Sequence, residues 1–454
     1  MEAPDTLFQR LGLFFVLLYL FVLISRVLDV TLPQLRIPMV LYVMMTIMAL
    51  LSGAARIFRT RANWWLGLYL IWMLLAVPTS YWRGGSITHW TNAVKIFVFF
   101  LCVQVLINNW RKFRMATWVL AAGLLVSAIL SRLMGDYSTG RLRLQFGTLS
   151  DPNDFAMYMI MGLCLWLLLW QTTRNPGMTA IFYMPVILLI LAAFLNTGSR
   201  GGLIAMAMVL LVWIIHLPAR GKFLLIGGGV AIIAIAPFVM SDYVKSRFLT
   251  IYTVDDDDAG NMEIAGRLGS SVASTESRKE LFLQSVRITT AHPVFGIGPG
   301  MFPAYTDFLA RESGFKRGQW QPTHNMFTQI SSECGIPALL LYLIGVVEII
   351  IPLRRVRRVR GHFPEAEGMR RAAGYLLMAF YGVLMAGMFL SIAYTTVIYV
   401  LGALAICLTR ACADRSAAAA QAEKLAAPTE ATPKRPMLPP RLPMTFPPRL
   451  GARS

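Results

Sequence analysis

Residues 178–216 read MTAIFYMPVILLILAAFLNTGSRGGLIAMAMVLLVWIIH, two apolar runs meeting at one short polar turn. Arg200 is the sole Lys, Arg, Asp or Glu in the stretch. An α-helix needs about 17–20 apolar residues to cross the hydrocarbon core of a bilayer. Runs near that length recur along most of the chain. By hydropathy they predict about 12 spans, near 7–24, 37–53, 64–80, 90–107, 115–133, 154–170, 178–196, 201–216, 222–240, 335–353, 372–390 and 394–410. Composition agrees, since 56% of the 454 residues are hydrophobic and only 14% are charged. A soluble domain carries about 25% charged residues. The reading is an all-α polytopic membrane protein, and soluble globularity is excluded. No small-residue cleavage site follows the first run, so it is expected to remain as a span.

Loop charge sets the orientation. Arg56, Arg59 and Arg61, then Arg111, Lys112 and Arg114, then Arg174, then Arg220 and Lys222 fall on one side of the alternation. The dense run from Arg354 to Arg371 falls there too. The positive-inside rule makes that side cytoplasmic, with both termini. Basic loops and a basic tail account for the net charge of +19 without nucleic acid. Five scattered cysteines show neither disulfide nor metal-ligand spacing.

The expected organisation is 1–240 as spans 1–9, 241–334 as a long outer loop, 335–412 as spans 10–12, and 413–454 as a disordered cytoplasmic tail. Within the outer loop, Ser277-Arg278-Lys279-Glu280 has capping-box form and predicts a helix from Ser277 to about Ala291, stopped by Pro293. A second helix is predicted after Pro322, with His324, Thr328, Ser331 and Ser332 on one face, broken at Gly335 and Pro337.

Candidate chemistry gathers on the outer side. Arg200 lies in the Asn196–Gly202 turn, whose small residues would let a ligand approach the backbone; a boundary arginine also anchors a helix end at the headgroups. Arg278, at the expected first position of the Ser277 helix, would join a guanidinium to free backbone N–H groups, a good phosphate site. His324 offers an imidazole able to accept a proton near neutral pH, or a structurally bonded histidine at a helix start. Lys95, inside the fourth span, either snorkels or binds phosphate. Arg141 and Arg143 precede Asp151-Pro152-Asn153-Asp154 and are open to either an ordinary loop role or binding. The acidic run Asp255–Asp258 lacks calcium-loop spacing, and Gly296-Ile297-Gly298-Pro299-Gly300 suits a rigid turn better than a nucleotide loop. No Walker, H-E-x-x-H or G-x-S-x-G motif occurs.

In order along the chain stand Gly198-Ser199-Arg200, Ser277-Arg278, His292-Pro293-Val294-Phe295-Gly296-Ile297-Gly298, Thr323-His324-Asn325 and Glu333-Cys334-Gly335. With the long loop between spans 9 and 10, this order resembles the O-antigen ligase and polymerase superfamily of bacterial inner-membrane glycosyltransferases. The likeness runs over roughly residues 10–410 and takes in Asp151–Ala156. Lys279 departs from it, since an aromatic residue is common after the loop arginine.

The resemblance implies a GT-C-like fold with a helical periplasmic loop, placed in the bacterial inner membrane. It implies transfer of a glycan from undecaprenyl diphosphate to a lipid A-core or other glycan acceptor, inverting, with no nucleotide sugar, metal or cofactor. His324, Arg278 and Arg200 are then the expected catalytic residues. Arg200, Arg278, Lys95, Arg141, Arg143 and Asn325 are the expected substrate contacts. A polysaccharide polymerase or a protein oligosaccharyltransferase would share the fold. A lipid-linked glycan transporter would more naturally place charges or broken helices at mid-membrane.

Overall fold

In the computed structural model the described residues are 5–28, 33–53, 55–138, 140–145, 147–173, 175–216, 222, 229, 240, 244–245, 262–314, 320–359 and 363–426. Among them are thirteen α-helices and no strand. In chain order these are α1 (Leu7–Ser25), α2 (Ile37–Leu51), α3 (Arg61–Leu75), α4 (Arg83–Leu106), α5 (Trp110–Met134), α6 (Pro152–Gln171) and α7 (Pro176–Asn196). There follow α8 (Arg200–His216), α9 (Met262–Ala291), α10 (Phe302–Glu312), α11 (Met326–Arg357), α12 (Ala366–Ala386) and α13 (Thr396–Ala426).

The all-α polytopic architecture holds. Seven helices, α1, α4, α5, α6, α7, α11 and α13, are long and apolar enough to cross a membrane. The helices α2 and α8 are apolar but shorter. Every expected span falls on a helix except the ninth, which lies almost wholly outside the described residues, as does the acidic run Asp255–Asp258. Burial is inverted relative to a soluble bundle. The helices α6 and α13 are enclosed along most of their length, while α1 and α7 turn side chains such as Leu7, Phe14, Ile181 and Phe182 outward. Hydrocarbon solvates such faces at no cost, and intrahelical hydrogen bonds satisfy the backbone.

The connections fall into two linked ends. At one, the Tyr81 N–H donates to the Ile297 carbonyl, Leu142 to Asn196, Ile297 to Ser332 and Met326 to Gly387. At the other, Arg371 donates to the Gln171 carbonyl, and Arg410 bonds Gln104 and Thr60. The Asn63 and Gln104 side-chain amides there exchange two hydrogen bonds, at 2.9 and 3.1 Å. This second end carries the basic loops.

Four details of the sequence reading change. Helix α9 begins at Met262, so Ser277 and Arg278 are helix-interior; no proline interrupts residues 262–276, and the capping signature falls in chain already helical. Helix α11 starts at Met326, after His324, while the expected break falls at Gly335, whose non-helical backbone separates its two helical pieces. Helix α10, next to the Gly-Pro-Gly turn, was not foreseen. Helix α13 continues to Ala426, so residues 413–426 of the expected disordered tail are helical, in keeping with the strong helix preference of Ala417–Ala420. Residues 427–454 lie outside the described part.

The bend in α11 locks two motifs together. Gly335 has φ 86° and ψ 169°, and a Cβ there would collide with the Val294 carbonyl. Gly296, at φ 65°, is pressed in the same way against the Glu333 backbone. The Gly298 N–H donates to the Glu333 carbonyl at 2.8 Å, and the Ile336 N–H to Pro293 at 2.8 Å. Left-handed backbone favours glycine, and strain of this kind costs about 1–3 kcal/mol before any clash. Gly335→Ala is therefore expected to destabilise the fold by at least about 2 kcal/mol. Thermal unfolding in detergent reads this, and an unchanged midpoint would contradict the interlock.

Candidate active site

The Arg200 turn is built by capping. Ser199 precedes α8, and its Oγ accepts the Gly202 N–H at 3.0 Å while donating to Asn153 Oδ1 at 2.8 Å. Asn153, in the first turn of α6, takes a second bond from Arg141 Nη2 at 2.8 Å. Arg141 Nε reaches the Thr197 carbonyl, also at 2.8 Å. Asp151 caps α6 and accepts both the backbone and the side-chain N–H of Asn153. Thus the segment before α6 and the turn before α8 share one hydrogen-bonded seam. The glycines were expected to give a ligand access to the backbone. Instead Gly201 is packed on Phe389 and Gly202 on Ala156 and Phe194, so they let helices close up. A small cavity remains, lined by Asn153, Ser199, Gly201, Gly202, Ala386, Phe389 and Leu390.

His324 lies in the three-residue approach to α11, with φ at 52°. Its N–H donates to Ser391 Oγ at 2.8 Å. The next residue, Asn325, caps α11: Oδ1 accepts from Phe327 and Thr328, and Nδ2 donates to the Met388 carbonyl at 3.1 Å. Asn325 was expected to touch substrate, but its carbonyl is committed to the helix end and its amide to the 387–395 connection. The His324 imidazole is held below its usual range, first by burial and then by the Arg278 guanidinium, with Asp151 opposing. Arg278 and Asp151 therefore both act on His324 through space. Arg278 reaches this place from the side of α9, half-buried, and not from a helix N-terminus. Near its end α9 is pinned to α11 by the Thr289 and Ser331 hydroxyls, 2.9 Å apart.

The remaining expected contacts separate. Arg141 holds the seam described above. Arg143 is paired with Asp136 at 2.8 Å across an antiparallel bridge that sets the two residues opposite each other. Ser138 and Arg143 keep the Asp136 carboxyl well below the usual carboxylate range. That pairing ties Arg143 to its own loop. Lys95 is exposed on α4 and donates to Asn92 Oδ1 at 3.2 Å.

Two features had no role assigned in the sequence reading. One is Glu333, a buried carboxylate that accepts the Gly300 and Phe302 N–H groups and the Tyr394 hydroxyl, the last at 2.7 Å. The other is the 387–395 connection, of which span assignment had left only 391–393 outside helices. A Glu in the Glu333-Cys334-Gly335 motif, at the edge of an apolar run, was the available signal for the first. Among the described residues no three His, Cys, Asp or Glu side chains come together as a metal site.

Residues 185–343 match the family model described as O-antigen ligase. Over that domain the chain is similar to the O-antigen ligase family. That domain takes in the Arg200 turn, Arg278, the Pro293–Gly298 turn, His324 and Glu333, which supports the superfamily resemblance. Asp151, Asn153, Lys95, Arg141 and the 387–395 connection lie outside the matched O-antigen ligase segment. No curated protein matches the chain.

Proposed function

We propose that this protein transfers a glycan from an undecaprenyl-diphosphate carrier to a lipid or glycan acceptor, at the outer face of a bacterial inner membrane. One observation carries the reading: a half-buried histidine, depressed in basicity by burial and then by Arg278, is tied through the 387–395 connection to the turn that bears Arg200. The acceptor hydroxyl oxygen attacks the anomeric carbon, and its proton passes to the His324 imidazole. On the opposite face the bond from that carbon to the diphosphate oxygen breaks, which inverts the configuration. The leaving diphosphate gains charge, and Arg200 and Arg278 stabilise it in a site of low dielectric. Guanidinium pairs fit phosphate oxygens bidentately, the work that magnesium does elsewhere. Basic loops at the far end support an outward-facing site.

The test uses purified full-length protein in detergent, carrier-linked glycan and a panel of acceptors: lipid A-core, free glycan and peptide. Product on lipid A-core supports a ligase, on glycan a polymerase, on peptide an oligosaccharyltransferase. Translocation of a fluorescent carrier-linked sugar in vesicles, without transfer to any acceptor, would replace the reading with transport. Chelation by EDTA is expected to leave the transfer rate unchanged, and loss restored by added magnesium would overturn the arginine assignment.

A further inference from the structure

The 387–395 connection belongs to no motif quoted above and lies beyond the matched segment, yet it touches the Arg200 turn, the His324 approach and Glu333. Phe389 packs on Gly201, next to Arg200. The Gly387 carbonyl accepts the Met326 N–H at 2.7 Å, and the Met388 carbonyl accepts the Asn325 amide. The Ala393 N–H donates to Gln329 at 3.3 Å, and the Tyr394 hydroxyl to Glu333. Between these anchors stands Ser391. Its Oγ accepts the His324 N–H and lies 3.3 Å from the Thr323 hydroxyl. Thr323 in turn donates to the Asn325 carbonyl at 2.9 Å, so the Ser391 proton is the one shared with Thr323 Oγ1.

These bonds act on a residue whose backbone is unusual. At φ 52° His324 sits in the left-handed region that non-glycine residues occupy only when their surroundings compel it. Flanking Asn325 is fixed as a cap, and Thr323 is buried. The hydrogen bond at the His324 backbone N–H therefore holds the left-handed segment from which the imidazole projects.

We infer that Ser391 is a positioning residue, and that the 387–395 connection is the part of the active site that sets His324 against Arg200. The inference rests on the proposed glycan transfer for its catalytic meaning, though not for its geometry. Ser391 does not touch substrate; it acts through His324.

The experiment compares Ser391→Ala and Ser391→Thr with the unaltered protein, all full-length and matched for folded fraction in detergent. Ser391→Ala is expected to lower kcat about tenfold, with KM for the carrier-linked donor little changed, because a base displaced by a fraction of an ångström loses alignment and not binding. Ser391→Thr keeps the hydroxyl and is expected to recover most of kcat. A second readout needs no substrate: acylation of His324 by diethyl pyrocarbonate, resolved by peptide mass spectrometry, with His292 as internal reference. Labelling of His324 should speed up at least about threefold in Ser391→Ala, as the freed segment samples more exposed states, and return in Ser391→Thr. Unchanged kcat in Ser391→Ala, or a loss with His324 labelling unaltered, would overturn the inference. If the unaltered protein transfers no glycan while the labelling pattern holds, the function fails and the positioning stands.

Discussion

Replacing His324 with alanine is expected to slow glycan transfer by roughly 10²–10⁴-fold and to leave the protein folded, the range over which a positioned general base accelerates proton transfer. The pH dependence carries the sharper prediction. Only the neutral imidazole accepts a proton, and burial and Arg278 both disfavour its charged form. The acid limb of kcat/KM therefore belongs below the ordinary imidazole value of 6.5. Removing Arg278 takes away one of the two depressing influences, so the limb should move upward in Arg278→Gln. An anionic diphosphate arriving near Arg278 offsets the guanidinium charge, so the limb of kcat should lie above that of kcat/KM. Full activity in His324→Ala, or an acid limb above 6.5 in the unaltered enzyme, would remove the histidine from its role.

Arg200→Ala and Arg278→Ala form the second large effect. Each is expected to cost about 10²–10³-fold in kcat, the usual consequence of deleting one donor aimed at developing negative charge. Lysine at either position should restore only part, since a point charge cannot copy a bidentate fork. The two arginines are told apart by pH. Arg278 and Asp151 are the charged causes of the His324 shift and Arg200 is not among them, so Arg200→Ala should lower the rate without moving the acid limb. Single-turnover transfer across pH 5 to 9 would read both at once. Retained kcat in both variants would dispose of the diphosphate clamp.

Much of the fold was readable because hydrocarbon imposes a simple rule. A helix that must satisfy its own backbone and face lipid is apolar for its whole length, and such runs stand out in the sequence. Helix ends were less legible where capping signals compete with strong neighbours. The S-x-x-E pattern at Ser277 is sound local chemistry, yet residues 262–276 already supply a helix running into it. At the site, Arg200, Arg278 and His324 could be picked as residue types suited to phosphate and proton transfer. Their supports could not. Asn325 and Arg143 have the chemistry of ligand contacts, but a helix cap and an ion pair with Asp136 engage them, and only coordinates reveal such partners. The 387–395 connection was hidden for a different reason. Two of its anchors are backbone carbonyls, which any residue supplies, so no side-chain pattern marks it.

That connection lies between the last two helices, with consequences for biosynthesis. Arg200, Arg278 and His324 are all translated before it, so a ribosome paused after α12 has delivered the reactive groups without the brace that aligns them. Under the proposed assignment, completion of the machinery waits on the closing hairpin, and chains abandoned midway would hold the two arginines in a slack, unproductive arrangement.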